Sequence, residues 1–409
     1  MSRVLVDSGI KWIGSLPNTW GITSVNKIFY RRKEVNDVEN PTVLSLARDG
    51  VKIRDISTNE GQLAESYDNY HKVYKDDLMI NPMDLISGAN CSLSEVEGVI
   101  SPAYINLAKK ENIFPKYYDY FFKYQYWVNA MFIHGKGVSF NNRWTMNWET
   151  MSSYKLPFPK IEEQKTIADY LDKKCSKIND VINDNNTEIK LLEEYKNSLI
   201  IQELSKIGEN YVYGQLKHFI HYESGGILKD VLNSGNCKYI KMADIDNFGN
   251  IDEKKLNSVN ASLEEIKKYK VNRGDLLVNV RNSYELVGKF AIIDSDISDC
   301  IFNHMIVRYT LKNIRPLYLK YYLLSTPFQK QLNLIKRGTT NVSAVYKDDF
   351  MRLKIKVPSM KIQNEIEEKI AYEWDKIDRV IDYRKQIIEK LEEYKRSLIY
   401  ECVTGKREV

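Results

Sequence analysis

The sequence predicts an α+β protein of pseudo-twofold internal repeat: two mixed α/β globular halves separated by two long helices that form an antiparallel coiled coil. Three observations predict it. Residues 192–200 read LEEYKNSLI and residues 391–399 read LEEYKRSLI, and the offset of 199 holds without a gap for tens of residues upstream. Each copy ends a stretch without proline or glycine, 160–207 and 359–404, whose apolar residues recur at spacings of three, four and seven. The segments preceding these stretches are of another character, with Tyr, Val, Ile and Asn in short runs broken by Gly, Asn and Asp.

The first globular half covers residues 1–158. Its closing phrase YKLPFP (154–159) reads as a strand ended by proline, which has no amide to donate and biases its predecessor away from helix. Within it, IFPKYYDYFFKY (113–124) reads as a helix opened by proline with aromatics on the core. Trp12, Trp20 and Trp148 are expected in the core. The first long helix, in segment 159–210, carries its stripe at Ile167, Leu171, Ile178, Asn185, Leu192 and Leu199. At 1.5 Å per residue, about 40 residues would give roughly 60 Å of helix.

The second half, 211–357, echoes the first. RGDLLVN (273–279) resembles KDDLMIN (75–81), IRPLYLKYYLLS (314–325) resembles 113–124, and the glycine turns HGKGVS and RGTTNVS follow in the two halves. LKIKVP (353–358) repeats the proline-ended strand. The second helix, in segment 358–409, repeats the stripe at Ile366, Ile370, Ile377, Arg384, Leu391 and Leu398. One apolar stripe cannot bury itself, and the matching helix is its natural partner. Antiparallel packing would set Leu171 near Leu398 and Leu199 near Ile370. The polar residues Asn185 and Arg384 share one repeat position; they either fix the register midway along the seam or face solvent.

Composition bounds the function. The chain has 409 residues, 43% hydrophobic and 28% charged, with mean hydropathy −0.45. No apolar run approaches the roughly 20 residues of a membrane helix, and MSRVLVDSGIKW has no secretory core. Five scattered cysteines (Cys91, Cys175, Cys237, Cys300, Cys402) and five histidines without ligand spacing point to reduced thiols, a cytoplasmic location and no metal site. Residues 160–207 and 359–409 carry net charges of −2 and −1, so the overall +5 leaves +8 elsewhere. That is either ordinary surface charge or the mark of a polyanionic partner.

No catalytic residues emerge. INPMD (80–84) lacks the aromatic that stacks a flipped base in adenine methyltransferases, and no glycine-rich turn precedes it to hold a cofactor. There is no GxxxxGK[ST] loop and no nucleophile elbow. No cofactor is expected in this chain.

The order of globular half, long helix with EEQ…LEEYKxSLI, globular half and long helix resembles the specificity subunit of type I restriction-modification systems. The matching residues are DSGIKWIGSLPNTW (7–20), LPFPKIEEQKTI (156–167), LEEYKNSLI and LEEYKRSLIYECVTGKRE (391–408); KIQNEI (361–366) departs from EEQKTI. The resemblance covers the whole chain. It implies a non-catalytic, sequence-specific DNA-binding subunit with two target recognition domains, each reading part of a split site. It also implies that the helices act as a spacer and docking surface for two methyltransferase subunits, which restriction subunits then join. Tyr195 and Tyr394 belong either to that docking surface or to the helix seam. The alternative from another class is a coiled-coil scaffold binding proteins through its two halves.

Phosphate contacts call for Arg, Lys and backbone amides; base contacts call for Arg, Lys, Asn, Gln, Ser or Thr on loops that enter a groove. In the first half, LARDGVKIRD and HGKGVSFNNRW offer Arg48, Lys52, Arg54, Lys136, Asn141, Asn142 and Arg143. In the second, SGGILKD, VRNSYE and KRGTTNVS offer Lys229, Arg281, Asn282, Tyr284, Arg337, Thr339, Thr340 and Asn341. Any one of these residues also suits a solvated surface or a turn.

Overall fold

The computed structural model describes residues 3–48, 50–57, 64–83, 85, 90–110, 112–136, 145–209, 211–232, 234–339 and 342–409. The chain divides into two units, one of Met1–Asn185 with Lys385–Val409 and one of Asn186–Arg384. The fold is α+β, with a mixed α/β domain and half of each long helix in either unit.

In the first unit a four-stranded antiparallel sheet runs in the order Phe29–Arg31, Ile105–Lys109, Leu78–Ile80, Cys91–Leu93. Its buried residues Leu78, Ile80, Ile105 and Leu107 meet the aromatic helix Pro115–Trp127 in one core. Pro115 opens that helix, where its fixed φ suits the first turn and no amide is missed. Tyr117, Tyr118, Phe121 and Phe122 are fully buried, and the Tyr117 hydroxyl donates to the Val403 carbonyl at 2.7 Å. Trp20 is buried in this core, while Trp12 and Trp148 pack against it partly exposed.

The second unit repeats the plan with other residues. Its four-stranded antiparallel sheet runs Ile220–Gly225, Ile306–Leu311, Leu276–Asn279, Phe290–Ile292, the same first-fourth-second-third order along the chain. Pro316 opens the equivalent helix, Pro316–Leu324. The KDDLMIN and RGDLLVN phrases place Asp77 and Asp275, both buried, just before the second strand of each sheet. Asp77 accepts from the Tyr74 amide at 3.0 Å and Asp275 from the Asn272 amide at 2.8 Å.

The long helices are Ile161–Ser205 and Met360–Val403, each preceded by a proline-ended strand. Lys155–Phe158 pairs with Gly21–Ser24, and Lys354–Pro358 pairs with Tyr211–Gln215. One buried glutamine locks each junction. The Gln164 side chain accepts from the Phe114 amide at 2.8 Å and donates to the Pro159 carbonyl at 2.8 Å. Gln363 does the same with Arg315 at 2.9 Å and Pro358 at 2.8 Å. Strand end, long helix and proline-opened helix are thereby joined at a point shielded from water, where an unmatched amide would be costly.

Within the second unit the helices run antiparallel: Arg384 pairs with Glu188, while Lys196, further along the first helix, meets Asp378, earlier on the second. Leu199, Ile366, Ile370 and Ile377 are buried there, with Leu192 partly so. Within the first unit Ile167, Leu171 and Ile178 share a cluster with Leu398, and Leu391 packs on its edge. Lys395 donates to the Asn179 side chain at 2.9 Å. Asn185 is buried, and its amide donates to the Val181 carbonyl of its own helix at 2.7 Å.

Lys196 is 2% exposed, with its ammonium 4.5 Å from the Phe248 ring centroid, 4.3 Å from that of Trp374 and 2.7 Å from Asp378. Phe248 belongs to the globular part, so this cation fastens domain to helix pair. Its repeat mate Lys395 has a different partner, the Asn179 side chain.

Candidate nucleic-acid interface

In the second unit a three-stranded antiparallel sheet gathers several expected contact residues. Arg281–Asn282 and Lys336–Gly338 flank Ser343–Val345, and Arg281 and Arg337 both stand opposite Ala344. Residues directly opposite share a face of a sheet, so the two guanidinium groups rise on either side of a small residue. Both are exposed; Arg337 is paired with Asp349 at 2.7 Å and lies 5.7 Å over the Tyr346 ring. Beside them a cavity of about 420 Å³ is lined by Glu223, Arg281, His304, Tyr346 and Lys347 among others.

Tyr284 is exposed next to this sheet, and its carbonyl accepts from Lys336 at 3.1 Å. Burial pushes the Lys336 ammonium below the usual lysine range. Asn282 is half-buried, with its carbonyl oxygen accepting from the Ser283 amide at 2.8 Å. Thr339 serves the turn: its amide donates to the Val342 carbonyl and its hydroxyl accepts from the Val342 amide. Thr340 and Asn341 lie outside the described residues. Lys229 is held away from this sheet's bonding, in an ion pair with Glu265 at 2.7 Å, and Glu265 also caps the helix Leu263–Tyr269.

In the first unit Arg48, Lys52 and Arg54 come together on one hairpin, Leu44–Ala47 paired with Gly50–Ile53. Leu44 and Leu46 face the core, so the two-residue period turns Ser45 and its partner Lys52 outwards. Arg48 is exposed in the turn, and Arg54 follows the second strand with its amide on the Val43 carbonyl at 2.8 Å. Lys136 is exposed and its backbone pairs with Thr145 at 2.8 and 3.1 Å. Asn141, Asn142 and Arg143 lie outside the described residues.

Sequence reasoning missed Lys336, Tyr346 and Lys347 at the second-unit sheet. Lys336 sits inside the KRGTT phrase, and its place beside Tyr284 comes from pairing across 52 residues of chain. Tyr195 and Tyr394 are 52% and 47% exposed, which takes both rings out of the helix seam.

The family model of the type I restriction modification DNA specificity domain matches residues 95–191 and, a second time, 208–393. The chain belongs to that family. Its members are specificity subunits, which are non-catalytic; catalysis lies in separate methyltransferase and restriction subunits. This specificity-domain protein is 23% identical over 365 residues to the type I restriction enzyme MjaVIII specificity subunit of Methanocaldococcus jannaschii, covering 82% of this chain and 81% of that one. It is 20% identical over 449 residues to the EcoBI specificity subunit of Escherichia coli, covering 99% and 90%. Its fold matches a chain solved in work on complex assembly and conformational transition of the type I R-M system, with TM-score 0.66, 12% identity and 96% and 99% coverage. Among the described residues no helix is long and apolar enough to cross a membrane.

Proposed function

We propose that this chain reads a split DNA target, one half-site with each globular half, and brings methyltransferase and restriction subunits to it. The observation that carries the reading is one framework built twice with different loops. Sheet order, proline-opened helix and buried glutamine recur, whereas the segments at the equivalent place after that helix differ in sequence, HGKGVSFNNRW in one half and KRGTTNVS in the other. A shared framework with divergent loops suits two readers of different base sequences. Residues 1–158 and 211–357 are the two target recognition domains, and 159–210 and 358–409 are the spacer helices.

The helices set the gap between half-sites, since separation in such readers follows protein geometry, with one turn of duplex at about 34 Å. Their outer faces dock two methyltransferase subunits. Tyr195 and Tyr394 occupy the same repeat position and are both half-exposed, as two equivalent docking points require. The complex works in the cytoplasm.

Methylation mapping tests this reading. The chain is co-expressed with its cognate methyltransferase subunit and modified adenines are located in host DNA. The expected result is a split motif with a fixed gap, altered on one side only when residues 1–158 are exchanged. A soluble complex that leaves no motif would turn the reading towards a protein scaffold. A scaffold would also bind its partner with little dependence on salt, whereas DNA binding falls steeply with ionic strength.

A further inference from the structure

Building on the reading of this chain as a DNA reader, we propose that Arg31, Lys33 and His71 form a phosphodiester-binding patch, gripping duplex backbone beside the paired residues Lys136 and Thr145. The edge strand Phe29–Arg31 and the extended chain after it sort their side chains alternately to two sides. On one side every cation is neutralised. Arg32 meets Asp77 at 2.9 Å, and Lys72 meets Glu34 at 3.1 Å and Asp37 at 2.8 Å.

The other side is the reverse. Among the described residues no carboxylate stands within ion-pair distance of Arg31 or Lys33, and the buried Nε of Arg31 has no hydrogen-bond partner. His71 faces this side, opposite Val35 in an antiparallel bridge. Its pKa is lowered by burial first and then by the charges of Arg31 and Lys33, as expected of a ring set among cations. Burial likewise lowers Arg31.

The half-buried Arg31 guanidinium, beside Lys33 and with no carboxylate on it among the described residues, costs the fold free energy, and a phosphate oxygen removes that cost. The guanidinium and ammonium supply charge-assisted bonds, and the neutral imidazole supplies one N–H. The Arg31 guanidinium lies 5.8 Å from the Trp148 ring centroid. Trp148 opens the helix Trp148–Ser153, three residues beyond Thr145, whose backbone pairs with Lys136. The patch therefore adjoins the Lys136–Thr145 backbone pairing. A backbone contact there would hold Lys136 in register without reading bases.

The test is a salt titration of the full chain with a fluorescein-labelled 30-base-pair duplex of mixed sequence. Each phosphate neutralised contributes about −0.9 to the slope of log K against log salt. Arg31→Ala/Lys33→Ala is expected to weaken binding about 10- to 100-fold at 0.1 M salt and to flatten the slope by about two. Lys33→Ala alone, at an exposed side chain that leaves the fold intact, flattens it by about one. Lys254→Ala/Lys267→Ala removes the same charge from exposed positions of the second half and leaves the slope unchanged. Wild-type chain with no salt-dependent binding overturns the DNA-reading function and the patch together. Wild-type binding that the Arg31/Lys33 variants share in full overturns the patch alone.

Discussion

Lys196 offers a sharp test because its repeat mate Lys395 sits in the same LEEYK phrase with a different environment. Lys196→Ala removes an ammonium sandwiched between Phe248 and Trp374 and paired with Asp378. A desolvated cation–π contact contributes about 0.5–2 kcal/mol. The ion pair adds little, about 0.2–1 kcal/mol, because Asp378 remains 53% exposed and is rehydrated when its partner leaves. The buried lysine stem adds about 1 kcal/mol of lost packing. Together these contributions give an expected loss of about 2–4 kcal/mol. Lys395→Ala gives up one hydrogen bond to Asn179 at a partly exposed site, about 0.5–1 kcal/mol. Urea unfolding of the full chain, followed by tryptophan fluorescence with Trp374 beside the substitution, reads the difference. With a slope of about 1–3 kcal/mol per molar, the Lys196 variant should unfold about 1–2 M earlier and the Lys395 variant within about 0.5 M of wild type. Equal shifts in the two variants would refute the idea that the aromatic sandwich fastens the second domain.

Gln164→Ala and Gln363→Ala each lose two buried hydrogen bonds and strand a backbone amide, and each should cost about 2–4 kcal/mol, again read by urea midpoint. Gly405→Ala should destabilise the first unit, because φ is +67° and the new Cβ would lie 2.4 Å from Pro17 Cγ; thermal unfolding checks it. Arg281→Ala/Arg337→Ala should relax base preference in one half-site of the methylation map and leave the other half and the gap unchanged. Burial pushes the thiols of Cys300 and Cys402 up to about 12, so a disulfide reagent at pH 8 should label neither in the native chain. The same shifts bear on stability. The folded chain keeps these protons where an unfolded thiol, near 8.5, loses them, so the stability they contribute is full below about pH 8.5 and falls as pH rises towards 12.

The long helices and the twofold plan were legible because they rest on local periodicity and on an offset that anyone can slide along the chain. The proline-opened helices were legible for the same reason: Pro115 and Pro316 act within one turn. The grouping of the candidate contact residues was less so. Arg281 and Arg337 lie 56 residues apart and meet through a third strand, a pairing that no local signal encodes. Lys229 looked as free as Arg281 in sequence; its partner Glu265 lies 36 residues on and was equally plausible as a solvated acid. The patch proposed at Arg31 has no local signal: Arg32 and Lys72 meet carboxylates while, among the described residues, Arg31 and Lys33 meet none, and carboxylates are assigned to cations only by tertiary structure.

The Tyr117 bond to Val403, and Gly405 against Pro17 and Trp20, carry a consequence for how the molecule is made. The core of the first unit needs Lys385–Val409, which leaves the ribosome about 200 residues after Asn185. At about 5–20 residues per second that is a wait of roughly 10–40 seconds with Leu171 and Cys175 lacking their cover. The second unit, Asn186–Arg384, is contiguous and is complete sooner. Biogenesis thus runs against the order of synthesis: the half translated later is finished first, and the half translated first stays open to chaperones until the end.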